Sequence, residues 1–391
     1  MATQTRIPKW VDVSVRIVLG AAVVGFLFYK SADIRLSVVQ RDSVSYWATG
    51  QRLIHHQNPY DTDAVTRLER QEGYSGKPLL LRIPPWSLFM VLPLGLLSSY
   101  WACLLWLSLS LAALLASMRF CAEILPVPTE SRSVFQVLGY TFAPVLACLY
   151  AGQMGLLMLL GFVIFLRFHS GRPWLAGAAL LLPFAKPHVS WFFWIALLLW
   201  MLARRKYVVA TGFGGAVVAA TLLALAVDPT VFRDYASMLT SESIGREFIP
   251  ALSGVIRLLF FRNLFWVQFV PVLLASIWFI RFWIVNRLRW NWTDQGLTTL
   301  VVSVVVTPYG WMSDEVILIP AVLQAAGFLY LHDVKLDLKD HAIVGLLACL
   351  NGLLLLMLIS KVPFQLGVYF WSSLVWFAWY AYGRRRTRER L

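Results

Sequence analysis

The sequence predicts an all-α, polytopic integral membrane protein, and three observations carry that reading. First, the 391-residue chain is 59% hydrophobic and only 14% charged, where a soluble domain is about 25% charged; its mean hydropathy is +0.68. Second, runs near twenty apolar residues recur: Val11–Tyr29, Trp101–Met118, Val208–Val227, Leu264–Phe279 and Val344–Ile359. Such runs match the hydrocarbon thickness, and in lipid only a helix satisfies its own backbone. Third, basic residues gather at the ends of the runs, at Arg204–Lys206, at Arg287 and Arg289, and at Arg384–Arg386 with Arg388 and Arg390. That is the positive-inside pattern, which also explains the net charge of +14 without invoking nucleic acid.

The first run follows Arg6 and Lys9 and reads as a signal anchor with its N-terminus inside. With both termini cytoplasmic, the number of full spans is even. Roughly thirteen apolar segments are visible by the loose twenty-residue criterion, so a bundle of roughly 10–13 helices is expected, in one domain over residues 1–391. Trp86–Leu97, Gly152–Leu166 and Trp174–Ala185 are short and interrupted by Pro or Gly. Segments of that kind mark backbone that lines a cavity rather than lipid. Two polar insertions, residues 31–84 and 228–262, fall on the outer face by the charge pattern. Cys103, Cys121, Cys148 and Cys349 are scattered and read as small apolar residues.

Charged and polar residues in or beside spans are the candidates for chemistry, because hydrocarbon makes them costly. In the first insertion Asp42, Ser45, Tyr46 and Thr49 share one face of a helix at i, i+3, i+4 and i+7. Asp42 is either the N-cap of that helix or a general base accepting a hydroxyl proton. Arg82 precedes Pro84–Pro85, a helix-start signal, and either snorkels or holds a phosphate or carboxylate. Gln153 interrupts an apolar run after Gly152, as an interhelical hydrogen bond or a cavity residue. Lys186 joins two half-length segments and offers a cation to a lipid phosphate, with His188 bordering the same cavity. Asp314 and Glu315 lie between two apolar runs, as helix caps or as cavity carboxylates. The "DTD" of Asp61–Asp63 mimics a metal-binding carboxylate pair, but after "NPY" it reads as a turn or cap. His55 and His56 are adjacent and diverge on a helix. The sequence carries no P-loop and no Gly-rich phosphate motif, so a donor is expected to be lipid-borne. No cofactor is indicated; a divalent metal is possible but no motif points to one.

Five blocks in order, "RDSVSYWATGQRLIHHQNPYD", "RIPPWSLFMVLPLGLL", "AGQMGLLMLL", "GRPWLAGAALLLPFAKPHVSWFFWIALLL" and "TPYGWMSDEVILIPA", resemble glycosyltransferase family 87. That group has the GT-C fold and includes polyprenol-phosphate-mannose-dependent α-mannosyltransferases. The resemblance covers roughly Asp33 to Ala325. It implies an inverting transfer of a mannose-like hexose from a polyprenyl-phosphate donor to a lipid or glycan acceptor at the outer face of the cell membrane. It implies Asp42 as catalytic base and matches Pro84–Pro85, Gly152–Gln153 and Lys186–Pro187 to family elements, with Ile83 where an aromatic is usual. The element "IPALSGVIRLL" supplies Arg257, so the implied donor-phosphate set is Lys186, Arg257 and Arg82. Tyr46, Gln153, His188 and Asp314 are the implied cavity. The chain departs from the family at "TPYGWMSD", where Ser313 and Asp314 stand in place of histidines; a histidine role there does not carry over. The rival readings are a transporter or flippase of polar headgroups, which would use the same intramembrane charges for coupling, and a non-catalytic homologue.

Overall fold

The computed structural model describes residues 39–79, 81–125, 132–241, 249–330, 337–363 and 368–390. The expected first span, Val11–Tyr29, and the start of the first insertion lie outside the described residues, as does the middle of the second insertion. The described chain is helical throughout, with no strand among the described residues.

Among the described residues, five helices are long and apolar enough to cross a bilayer: Ser99–Ile124, Tyr207–Val227, Phe265–Arg289, Met312–Leu329 and Leu338–Ile359. Three of them contain the runs expected at Trp101, Val208 and Val344, and a fourth, Phe265–Arg289, covers the run Leu264–Phe279 from its second residue on. A further apolar pair, Pro173–Ala185 with Pro187–Ala203, is bent by 113° at Lys186, the form of a broken span or a re-entrant loop. The segments marked as short in the sequence are short in space. Trp86–Leu97 becomes two 3-10 helices, Pro85–Met90 and Leu92–Leu96. Gly152–Leu166 becomes a 14-residue helix, Gly155–Phe168. Prolines 85, 93, 173, 183 and 187 each sit in the first turn of a helix or 3-10 turn, where the missing N–H costs nothing.

The run Met312–Leu329 is almost wholly buried, whereas Tyr207–Val227, Phe265–Arg289 and Leu338–Ile359 keep most of their surface outward. Leu222, Leu273, Ile277, Ile284 and Leu356 are among the exposed apolar side chains on those outward faces. Apolar surface of that extent is stable only against lipid. The chain is a multi-pass membrane protein with one run at its centre and a lipid-facing periphery.

The described part of the first insertion carries two helices, α1 (Ser43–Ile54) and α2 (Thr62–Gln71). Helix α1 docks on the 3-10 segment through Gly50 and Gly95. A Cβ on Gly50 would stand 2.4 Å from Val91 O, and one on Gly95 would stand 2.2 Å from Gly50 C. Close backbone approach of this kind is open only to glycine. Trp47 Nε1 donates to Leu97 O at 2.9 Å and Gln51 Nε2 to Gly95 O at 2.7 Å, which seals the crossing. The "DTD" reads here as the sequence indicated: Asp61 caps α2 by accepting from Ala64 N and also pairs with Arg52 at 3.3 Å.

Gly50→Ala is expected to destabilise the protein by about 2 kcal/mol, the usual size of an overpacking penalty. Gly215→Ala, where a Cβ meets nothing within 4 Å inside the helix Tyr207–Val227, should hold or slightly raise the melting temperature, since alanine is the better helix former. Thermal unfolding of both variants in the same detergent checks the contrast.

Candidate functional site

The site begins where α1 meets the end of helix α5. The intervening helices are α3 (Ser99–Ile124) and α4 (Arg132–Tyr140), and α5 itself is Ala143–Ala151. A helix end leaves four carbonyls without partners inside the helix. Here all four are used. Gly152 adopts the left-handed conformation at φ 71°, so Gln153 N reaches Cys148 O at 3.0 Å and Gly152 N reaches Leu149 O at 3.3 Å. Arg41 Nη1 donates to Leu149 O at 2.7 Å and to Tyr150 O at 3.2 Å. Asp42 N closes the set on Ala151 O at 2.8 Å. A Cβ on Gly152 would press on Arg41 Cβ and Ser43 N. The chain reversal at Gly152 therefore sets Gln153 beside Asp42, 111 residues away.

Asp42 occupies the N-cap position of α1 but its carboxylate makes no cap hydrogen bond. Its Oδ2 instead accepts from Gln153 Nε2. Its Oδ1 carries no hydrogen bond among the described residues, and the residue is half-buried. Gln153 Oε1 accepts from Tyr46 OH at 3.2 Å and from Lys186 Nζ at 3.1 Å. Those two donors fix which end of the amide is oxygen. Tyr46 is buried, edge-on to Trp106 with ring centres 4.7 Å apart. Of the four residues sharing one face of α1, only Asp42 and Tyr46 turn to this network. Ser45 bonds Leu79 O, and Thr49 is buried elsewhere.

Lys186 lies at the break of the bent pair, between the 3-10 turns Pro183–Ala185 and Pro187–Ser190. Its Nζ pairs with Asp314 Oδ1 at 2.7 Å, with the two side chains only 12% and 1% exposed. The second oxygen of Asp314 accepts from Trp311 N at 3.1 Å, so Asp314 is both a cap and a cavity carboxylate. Its neighbour Glu315 turns away. It accepts from Ser372 Oγ at 2.6 Å and Trp376 Nε1 at 2.9 Å and ties the Met312–Leu318 turn to the C-terminal helix.

The remaining predicted residues surround the loop 307–311. Arg82 Nη1 lies 3.5 Å from Tyr309 OH, and the His188 ring meets the Tyr309 ring edge-on at 5.5 Å. Arg257 is buried, with its guanidinium over Phe265 at 5.4 Å. It is linked to the loop through its own helix, in which Ser253 donates to Thr307 O at 2.6 Å. Sequence reasoning passed over Arg41, Tyr309 and Trp311. Arg41 carried a signal, a second charge beside Asp42, whereas Tyr309 and Trp311 looked like interfacial aromatics.

The electrostatics follow from burial. Burial pushes the Asp42 carboxyl up to about 6, against the pull of the Gln153 hydrogen bond and the Lys186 charge, while Asp314 adds to the rise. A carboxylate poised near neutrality, with one oxygen held and one open, can accept a proton. No three His, Cys, Asp or Glu side chains cluster as a metal site among the described residues.

A helical membrane bundle with a buried polar network beside a half-buried carboxylate can house proton transfer within the membrane region. The chain matches the model of glycosyltransferase family 87 over residues 83–308, more than half its length, and belongs to that family. The protein is a multi-pass glycosyltransferase. The matched span holds Gln153, Lys186, His188 and Arg257; Asp42, Tyr46, Arg82 and Asp314 lie outside it. No curated protein and no solved structure matches the chain.

Lys186→Met is expected to lower stability by about 3 kcal/mol, because Asp314 is then buried without its cation. The double change Lys186→Met with Asp314→Leu should cost clearly less than the sum of the singles. Denaturation of the three variants measures the coupling, and additive losses would contradict it.

Proposed function

We propose that this glycosyltransferase moves a mannose-like hexose from a polyprenyl-phosphate donor to a lipid or glycan acceptor, with inversion, at the outer face of the cell membrane. The observation that carries the reading is the carboxylate of Asp42, fixed through Oδ2 and open at Oδ1 beside a buried cationic network. In the reaction Oδ1 takes the proton of the acceptor hydroxyl. The hydroxyl oxygen attacks the anomeric carbon, and the bond from that carbon to the phosphate oxygen breaks. The electron pair leaves with the polyprenyl phosphate, which needs little protonation to depart. Arg82 and Arg257 supply the positive field for the charge that develops, while Lys186, paired with Asp314, holds Gln153 against Asp42; a well-placed group of this kind is worth about 3–4 kcal/mol.

The choice of face rests on the basic clusters. Arg204 Nη2 donates to Leu288 O, and Arg384 pairs with Asp294 at 2.5 Å. Those contacts join the clusters at 204–206, 287–289 and 384–386 at one end of the bundle, the end that the positive-inside rule assigns to the cytoplasm. Lys186 precedes helix Trp191–Ala203, so it stands about 20 Å from that end along the helix axis. A site displaced toward the opposite face suits a donor presented at the outer leaflet. A transporter or flippase would use the same charges, but family membership favours sugar transfer.

Asp42→Asn should abolish transfer, by a factor of at least about 10³, while donor binding and the melting temperature hold. Normal turnover by that variant, measured with labelled polyprenyl-phosphate hexoses and lipid extract, would overturn the assignment. The base works ionised and its carboxyl sits at about 6, so kcat/KM should fall as the pH drops below about 6, tenfold per unit, and level off above it. An acid limb centred near 4 would contradict Asp42 as the titrating group.

A further inference from the structure

Lys186 offers less to a phosphate than its sequence position implied. Its ammonium already serves Asp314 at 2.7 Å and Gln153 at 3.1 Å, so most of its charge is neutralised by a buried carboxylate. One loop away stands a group of polar atoms that the network does not use. Tyr309 OH receives Arg82 Nη1 at 3.5 Å and Trp311 Nε1 at 3.4 Å. Arginine and the indole nitrogen only donate, so the phenol oxygen accepts both contacts. Its own proton meets no acceptor among the described residues. His188, whose ring abuts the Tyr309 ring at 5.5 Å, has a buried Nε2 with no hydrogen-bond partner. A buried polar nitrogen left unpaired costs about 1–3 kcal/mol, so it is expected to meet a ligand in the working state.

The backbone holds these groups in register. Thr307 Oγ1 lies 3.1 Å from His188 O and 2.8 Å from Tyr309 O, tying the turn after Lys186 to the loop before Asp314. Trp311 joins the same loop to the network, since its N–H donates to Asp314 Oδ2.

We propose that Arg82, Tyr309 and His188 form the seat of an anionic phosphate monoester or diester, with the Tyr309 hydroxyl and His188 Nε2 as direct donors and the Lys186–Asp314 pair as the frame behind them. The seat rests on the reading of the donor as a lipid-borne sugar phosphate. It assigns binding to residues on the 307–311 side, and it gives Tyr309 a role that neither its spacing nor the family match supplies. Tyr309 donates to a phosphate oxygen and Arg82, already aligned by the phenol, adds charge. Lys186 acts on Asp42 through Gln153 instead of touching the phosphate.

The test uses the full-length protein in nanodiscs, titrated with a radiolabelled polyprenyl phosphate and with the matching uncharged polyprenol. Tyr309→Phe and His188→Phe preserve ring shape and remove only the polar atoms. Each is expected to weaken binding of the phosphate about tenfold or more, the scale of one hydrogen bond to a charged group, and to leave binding of the alcohol unchanged. Asp42→Asn should bind the phosphate as the wild type does. If both ring variants keep the wild-type melting temperature and wild-type affinity for the phosphate, the seat is wrong. If one variant melts early, the other decides by the same criterion. A wild-type protein that binds phosphate and alcohol equally well would sink the lipid-phosphate donor itself, and Asp42 would then still be tested separately by its own loss of transfer.

Discussion

The buried ion pair of Lys186 and Asp314 is the constraint on which the site depends. Two charges nearly excluded from water are stable only if each finds its partner and its remaining lone pairs and protons are satisfied. Satisfying Lys186 goes with a break of the helix pair at that residue, where it bends by 113°. Satisfying Asp314 requires a 3-10 turn at Met312–Leu318, capped on Trp311 and pinned from behind by Glu315 to Ser372 and Trp376. The second hydrogen bond of the ammonium brings in Gln153, and Gln153 brings in Asp42. Removing the pair would leave no reason for the break, the turn and the reversal at Gly152 to coincide.

The bulk of the fold was legible because it follows from one-dimensional physics. Apolar runs at Trp101, Val208, Leu264 and Val344 are spans on any reading, and prolines at the starts of short segments mark where backbone leaves regular helix. Asp61 after "NPY" was readable as a cap for the same reason. The site was legible only in part. Spacing alone leaves Asp42 equally a cap and a base, because both uses ask for an aspartate at the start of a helix. What separates them is a glutamine 111 residues away, and no local pattern encodes that distance. Asp314 posed the same ambiguity, and it proves to serve in both ways, with one oxygen for each. Tyr309 and Trp311 were passed over because aromatic residues near a membrane boundary are common, and their polar atoms matter only through partners from other segments.

Small residues do the spatial work that sequence reading tends to miss. Gly152 turns the chain so that Gln153 faces inward, and Gly50 with Gly95 lets the first insertion lie directly on the 3-10 segment beneath it. Neither contact has a side chain to advertise it. Both sit outside the long apolar spans, in the part of the molecule where the chemistry is assembled.

The reversal at Gly152 also bears on how the protein is made. A ribosome delivers Asp42 well before Ala143–Gln153, and those long before Asp314. Until α5 arrives, the carbonyls of Leu149, Tyr150 and Ala151 that Arg41 and the Asp42 amide reach are missing; until Asp314 arrives, Lys186 lacks its carboxylate. The early insertion must therefore wait at the membrane surface while later segments are threaded, and the site closes only near the end of synthesis. A chain cut short of Asp314 would hold the acid, the amide and the lysine without the partner that joins them.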